Sequence, residues 1–155
     1  MKGNAQIIAT LNDLLADELT AISQYMVHSE MCANWGYDRL HDAVEKRALQ
    51  EMGHAEKLIA RIIFLDSQPT VSRLNEMHVG QDVAAQLHSD LAAEQTAVKV
   101  YNDAIRQAAD LGDNGTRDLL EDVLGDEEDH LDWLEAQLDQ VAQMGVQNYL
   151  QAQTT

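Results

Sequence analysis

The chain carries one pattern twice. Residues 15–25, Leu-Ala-Asp-Glu-Leu-Thr-Ala-Ile-Ser-Gln-Tyr, return at 91–101 as Leu-Ala-Ala-Glu-Gln-Thr-Ala-Val-Lys-Val-Tyr. Glu51-Met-Gly-His54 returns as Glu127-Glu-Asp-His130. The differences 94 − 18, 127 − 51 and 130 − 54 all equal 76, so one register relates both motifs. Each half therefore supplies one Glu and one Glu-x-x-His. Residues three apart share a face of a helix, so each Glu-x-x-His aims a carboxylate and an imidazole at one point. Whatever the chain folds into has to let two such halves meet.

Hydrophobic periodicity says what the halves are made of. Ile8, Leu11, Leu15, Glu18, Ile22 and Tyr25 step by three and four, the mark of a helix face turned inward. The pattern predicts a first helix to about Asn34, stopped near Gly36, and a second from about Asp38 to Phe64 through Val44, Glu51, His54, Leu58 and Ile62. Leu65 to Gln81 has no helical pattern and is punctuated by Ser67, Pro69, Asn75 and Gly80. Asp82 is an N-cap for a third helix, with Leu87, Leu91, Glu94, Val98, Tyr101 and Ile105 inward, ending near Gly112. Asp113 or Asn114 caps a fourth, whose stripe is Leu120, Glu127, His130, Leu134, Leu138 and Val141. Gly145 breaks it before a short segment, Val146 to Gln151. Short, long, short connections predict an all-α four-helix bundle with one long crossover and a short C-terminal fifth helix, in a single domain over residues 1–155. The repeat is then a pseudo-twofold relating two helix pairs.

Composition narrows the partners. With 27 acidic against 10 basic residues the formal charge is −17, which repels nucleic acid and anionic membranes and attracts cations. The strongly apolar stretch Leu58 to Leu65 contains Arg61 and is too short to span a bilayer. Asn12 and Asp13 break the N-terminal apolar stretch, so no secretory signal is expected. One cysteine, Cys32, cannot form an intrachain disulfide and reads as a small buried hydrophobe, which fits the cytoplasm.

Glutamate is poorly tolerated in a core unless paired or metal-bound, yet Glu18, Glu51, Glu94 and Glu127 lie on the stripes that supply the leucines. Four carboxylates and two neutral imidazoles, His54 and His130, around two divalent ions sum to zero charge, so a buried dinuclear site is electrostatically reasonable. Carboxylate and imidazole donors without clustered thiolates suit iron or manganese rather than structural zinc. One Glu from each of two helices and a Glu-x-x-His from each of the other two is the ligand set of ferritin-like di-iron proteins. Tyr25 and Tyr101, two turns beyond Glu18 and Glu94, either hydrogen-bond a ligand carboxylate or pack as core tyrosines. Trp133, one turn past His130, reads as core packing before it reads as an electron donor. His28, His41, His78 and His88 match no ligand spacing and are expected at the surface.

On these six positions the chain resembles the bacterioferritins, the haem-containing branch of the ferritin superfamily, over essentially its whole length. The resemblance implies Glu18 and His54 on one iron, Glu94 and His130 on the other, and Glu51 and Glu127 bridging. It implies a ferroxidase that stores iron: Fe2+ is oxidised by O2 or hydrogen peroxide and kept as mineral inside a homo-oligomeric shell of 24 subunits built from twofold dimers. It also implies haem or a related iron porphyrin at the subunit-pair interface, held by the methionine after the first bridging glutamate, here Met52, with a ferredoxin-type reductant as the electron source. Rotation fits this: one residue past Glu51 turns Met52 about 100° off the metal face. There it forms, with Leu19, Ser23 and Met26 of the first helix, an apolar flank for a partner subunit.

Weaker implications concern iron traffic. Family pores suggest Asn34, Asp66, Asp132 and Asp139 as a way in, and Asn148 and Gln151 as the lining of a fourfold channel. Some relatives place His at 46 and Asp at 50 for an additional iron; this chain has Lys46 and Gln50. Iron is then expected to cross the dinuclear site itself, with His130 swinging aside next to Asp126 and Asp129. The rival readings are a rubrerythrin-like di-iron peroxidase, which lacks its Cys-x-x-Cys tail here, and a haem-binding electron-transfer protein with a vestigial metal site.

Overall fold

Asn4 starts the first helix: its Oδ1 accepts hydrogen bonds from the backbone N–H groups of Gln6 and Ile7, at 2.8 and 3.4 Å. From there the computed structural model, which describes residues 1–154, runs through α1 (Ala5–Trp35), α2 (Asp38–Phe64), α3 (Val83–Asp110), α4 (Asn114–Met144) and the short α5 (Val146–Gln151). No strand occurs among the described residues. Asp82 caps α3 by accepting from Ala85 N at 2.8 Å, and Asp113, of the two candidates, caps α4 by accepting from Thr116 N at 3.0 Å.

The repeat extends to the turns. Gly36 and Gly112, again 76 apart, both have positive φ, 83° and 71°. Each closes its helix with a bond reaching back five residues, Tyr37 N to Cys32 O and Asp113 N to Ala108 O, both 2.9 Å. Two tight turns of the same construction thus make two antiparallel helix pairs, α1 with α2 and α3 with α4.

The core is layered. One apolar layer gathers Leu11, Leu14, Leu15, Leu58, Ile62, Ala108 and Leu120 at one end of the bundle. A second gathers Cys32, Leu40, Val83, Leu87, Leu134 and the α5 residue Tyr149 at the other. Truncating a fully buried leucine such as Leu58 or Leu120 to Ala costs about 2–5 kcal/mol. Between these layers lies the acidic one.

The crossover, residues 65–82, is strapped to one row of α1. Asn12 Oδ1 accepts from Thr70 N (2.8 Å), Thr20 Oγ1 from Asn75 N (2.8 Å), Gln24 Oε1 from His78 N (3.0 Å) and His28 Nε2 from Gly80 N (3.0 Å). These four positions differ by multiples of four, which places them in one line along the helix, and they satisfy backbone donors the irregular segment cannot pair itself. This corrects the reading of His28 as a surface residue. Its side chain is 0% exposed because the crossover covers it. Since Nε2 accepts from Gly80, Nδ1–H is left to donate to Asp90, at 3.0–3.1 Å. His41 is half-buried against Ser29, while His78 and His88 are exposed as expected.

Candidate metal centre

Glu18 comes from α1, Glu51 and His54 from α2, Glu94 from α3, Glu127 and His130 from α4, and all six are buried. Their donor atoms fall into two groups within 4.8 Å of one another: Glu18, Glu51, His54 and Glu127; and Glu51, Glu94 and His130. His54 Nδ1 lies 3.1 Å from Glu127, 3.6 Å from Glu51 and 3.7 Å from Glu18. His130 Nδ1 lies 2.9 Å from Glu94. Among the described residues, the buried side-chain N and O atoms without a hydrogen-bond partner are Glu18 Oε2, Glu51 Oε1, His54 Nδ1, Glu94 Oε2 and Glu127 Oε1, with Arg47 Nε beside them. Buried polar atoms are almost always satisfied. Carboxylate oxygens and imidazole nitrogens crowded together in the interior, several of them held by ion-pair contacts without a well-formed hydrogen bond, make a site for a cation, and with only O and N donors it suits iron or manganese.

The supporting groups are crossed. Tyr25, on α1, donates to Glu94 on α3, and Tyr101, on α3, donates to Glu18 on α1 at 2.5 Å. Both tyrosines are therefore partners of buried carboxylates of this cluster, each across the bundle from its own half. His54 Nε2–H donates to Asp126 Oδ2 at 2.9 Å, which turns Nδ1 toward the carboxylates. Asp126 is thus tied to His54, although it shares a helix with His130. Among the described residues no carboxylate holds the outer nitrogen of His130, whose ring stacks on Trp133 at 5.9 Å and meets Tyr25 edge-on at 5.5 Å. Trp133 also packs into the second apolar layer.

One residue at the centre was not expected. Arg47 is only 5% exposed, with Nη2 2.6 Å from Glu51, 3.1 Å from Glu127 and 3.6 Å from Glu94. It lies four residues before Glu51 on the stripe through Val44 and Glu51, the one sequence signal for it, although an arginine at such a position is ordinarily solvated. Three of the carboxylates are pulled in opposite directions by this crowding. Burial, then the neighbouring Glu18, pushes Glu51 up to about 8. Burial and a hydrogen bond with Glu94 push Glu127 up to about 9. Burial alone would raise Glu94, but Glu127, His130 and Arg47 pull it down to about 2. His54, which burial would lower, is raised to about 12 by Glu127, Glu18 and Glu51.

A cavity of about 650 Å³ between α1 and α3, under the crossover, reaches these carboxylates and is lined by Asp17, Glu76, His78, Tyr25 and Tyr101. The Ferritin-like domain family matches residues 8–144. Bacterioferritin from Rhodobacter capsulatus is 39% identical over 149 residues, covering 96% of this chain and 92% of that one. A bacterial ferritin from Synechocystis sp. is 39% identical over 154 residues and 99% of both chains. The solved structure of Rhodobacter capsulatus bacterioferritin, described with a metal-free dinuclear site and haem iron in a crystallographic special position, superposes with a TM-score of 0.98 at 37% identity, over 100% of this chain and 97% of that one.

This chain belongs to the bacterioferritin family.

In this bacterioferritin chain Met52 is 46% exposed on the flank of α2, and Met26 is 52% exposed on α1. Leu19 is partly buried against the first apolar layer, so the exposed flank of α1 is carried by Met26 and Val27 instead. A shallow groove of about 640 Å³ beside it is lined by Ser23, Met26, Val27, Met31 and Trp35. Asn34, Asp66, Asp132, Asp139, Asn148 and Gln151 are exposed, as are Lys46 and Gln50. Cys32 is buried, and burial pushes its thiol up to about 11. No helix among the described residues is long and apolar enough to cross a membrane.

Proposed function

We propose that the chain is an iron-storage ferroxidase: it oxidises Fe2+ with O2 or hydrogen peroxide at a dinuclear centre and passes Fe3+ as mineral into a shell built from its own copies in the cytoplasm. The observation that carries this reading is the convergence of four buried carboxylates and two buried imidazoles from four helices. Fe2+ is the substrate, and two of them held together supply two electrons to one oxidant. Glu18 and His54 hold one ion, Glu94 and His130 the other, and Glu51 and Glu127 lie between them. With both imidazoles neutral the loaded centre carries no net charge, which lets it sit between two apolar layers. Asp126 keeps His54 oriented, while Tyr101 and Tyr25 fix Glu18 and Glu94. Loading requires the protons on Glu51, Glu127 and His54 to leave. Stopped-flow oxidation of Fe2+ tests the reading: Glu94→Ala and His130→Ala should each lose the fast phase, and wild-type rates in either would remove the dinuclear centre.

The exposed Met52 on α2, with the exposed Met26 and Val27 on α1, would suit a twofold contact in which two copies hold a haem between them. Thioether ligation suits that group, which supplies a one-electron path for releasing stored iron. The reductant is of the ferredoxin type, and twelve such dimers complete the 24-subunit shell. Asn34, Asp66, Asp132 and Asp139 then line iron's way in, and α5 with Asn148 and Gln151 lines a fourfold channel. Met52→Leu should give an assembled shell without haem absorbance that oxidises iron at the wild-type rate and releases it slowly. Haem absorbance retained in that variant would place the ligand elsewhere.

A further inference from the structure

We propose that Arg47 is a built-in counter-cation of the carboxylate layer, and that an ion takes the Glu94–His130 half-site only by displacing its guanidinium toward the outer face of α2. The inference rests on the dinuclear reading above. Arg47 has two sides. Nη2 reaches inward to Glu51, Glu127 and Glu94, at 2.6, 3.1 and 3.6 Å. Nη1 already points outward, donating to Gln50 Oε1 at 2.8 Å and to the backbone carbonyl of Asp126 at 3.1 Å. The outward partners give the guanidinium somewhere to go: Gln50 is exposed.

Charge forces the choice. Four carboxylates and two divalent ions already balance, so a guanidinium left among them is a buried cation facing two others, with no anion to itself. The contacts of Arg47 are also lopsided. Its three inward partners include Glu94, whereas Glu18 is not among them. An ion at the Glu18–His54 half-site therefore meets Arg47 only through the shared carboxylates, and an ion at the other half-site has to compete with it directly. The repeat shows the device is not inherent to the scaffold: the position 76 residues after Arg47 is Val123, which is buried in the first apolar layer.

The test uses Co2+ as the probe, titrated calorimetrically into the whole assembled protein. Wild type should bind two ions per chain in two resolved steps, the second weaker by roughly ten- to a hundredfold. Arg47→Met should narrow that gap by about tenfold or more, while Arg47→Lys, which keeps a cation, should preserve most of it. The metal-free Arg47→Met protein should also unfold at a lower temperature than wild type, and the difference should vanish when both are loaded. Should the variant fail to fold, the Co2+-loaded wild-type crystal structure decides: Arg47 should have left Glu94 and Glu127 for Gln50 and the Asp126 carbonyl. Two bound ions with Arg47 still on Glu127, or identical two-step isotherms in wild type and Arg47→Met, would overturn the inference alone. A wild-type protein that binds no Co2+ at the six ligands would overturn the dinuclear reading with it.

Discussion

The two halves of the carboxylate layer carry the same residue types and differ in what surrounds them. Each has a Glu, a Glu-x-x-His and a tyrosine supplied by the other half, and each follows a helix pair turned at a left-handed glycine. Outside the ligands the symmetry fails. The outer nitrogen of His54 is held by Asp126, but the residue 76 earlier is Gln50, which takes its hydrogen bond from Arg47. Arg47 in turn corresponds to Val123, so one cation leans toward Glu94 with no counterpart near Glu18. On the proposed reading the repeat would place the ions, and the unrepeated residues would set how tightly each is held and in what order.

The largest effects should come from the residues the halves share. Glu51→Ala or Glu127→Ala should cost both ions, and His54→Ala or His130→Ala only one, each loss exceeding the roughly hundredfold that a supporting residue commands. Co2+ stoichiometry measures this directly. If Glu127→Ala still binds one ion at full affinity, the sharing is wrong.

Next comes the support itself. Asp126→Ala should weaken the ion at the Glu18–His54 half by roughly ten- to a hundredfold, since the imidazole loses the group that orients it. The ion at the other half should be untouched. A uniform loss at both would show that Asp126 acts on the field of the site and not on one ring.

The tyrosines test the symmetric part. Tyr25→Phe and Tyr101→Phe each delete a hydrogen bond to a buried carboxylate, a loss on the order of 1.5 kcal/mol that thermal unfolding can compare. The two should match closely. A marked difference would mean that the environment reaches further into the site than Arg47 and Asp126.

The broadest signal is pH. Glu51 and Glu127 are raised from an ordinary 4.5 to about 8 and about 9. Their contribution to stability is therefore fully present below about pH 4.5 and is lost as pH rises through 8 to 9. Glu94, lowered to about 2, contributes stability above pH 4.5 that is lost only in strong acid. Metal-free protein should lose stability between pH 4.5 and 9, and Co2+ affinity should climb over the same span as protons stop competing. Unfolding and titration curves flat across that range would contradict the proton placement.

The helix bounds, the crossover and the convergence of the six ligand-type residues were legible because each is a property of one helix face read along the chain. Arg47 was not, since an arginine between Val44 and Glu51 is ordinarily solvated and becomes interior only when α3 and α4 bring two more carboxylates to it. His28 and Asp90 were missed for a related reason. Their burial depends on the path of residues 65–82, an irregular segment whose course periodicity cannot give. The tyrosines were placed on the right face, but which glutamate each would meet depends on how the pairs pack. Asp126 lies one turn from His130 and bonds His54 because α4 presents it to α2.

On the proposed reading two metal ions occupy this carboxylate layer, one per repeat. Anomalous diffraction from crystals soaked anaerobically in Fe2+ tests it most directly. Two iron peaks per chain are predicted, one bounded by Glu18 and His54 and the other by Glu94 and His130, with Glu51 and Glu127 between them. A single peak at saturating Fe2+, or none within reach of these six side chains, would contradict the account.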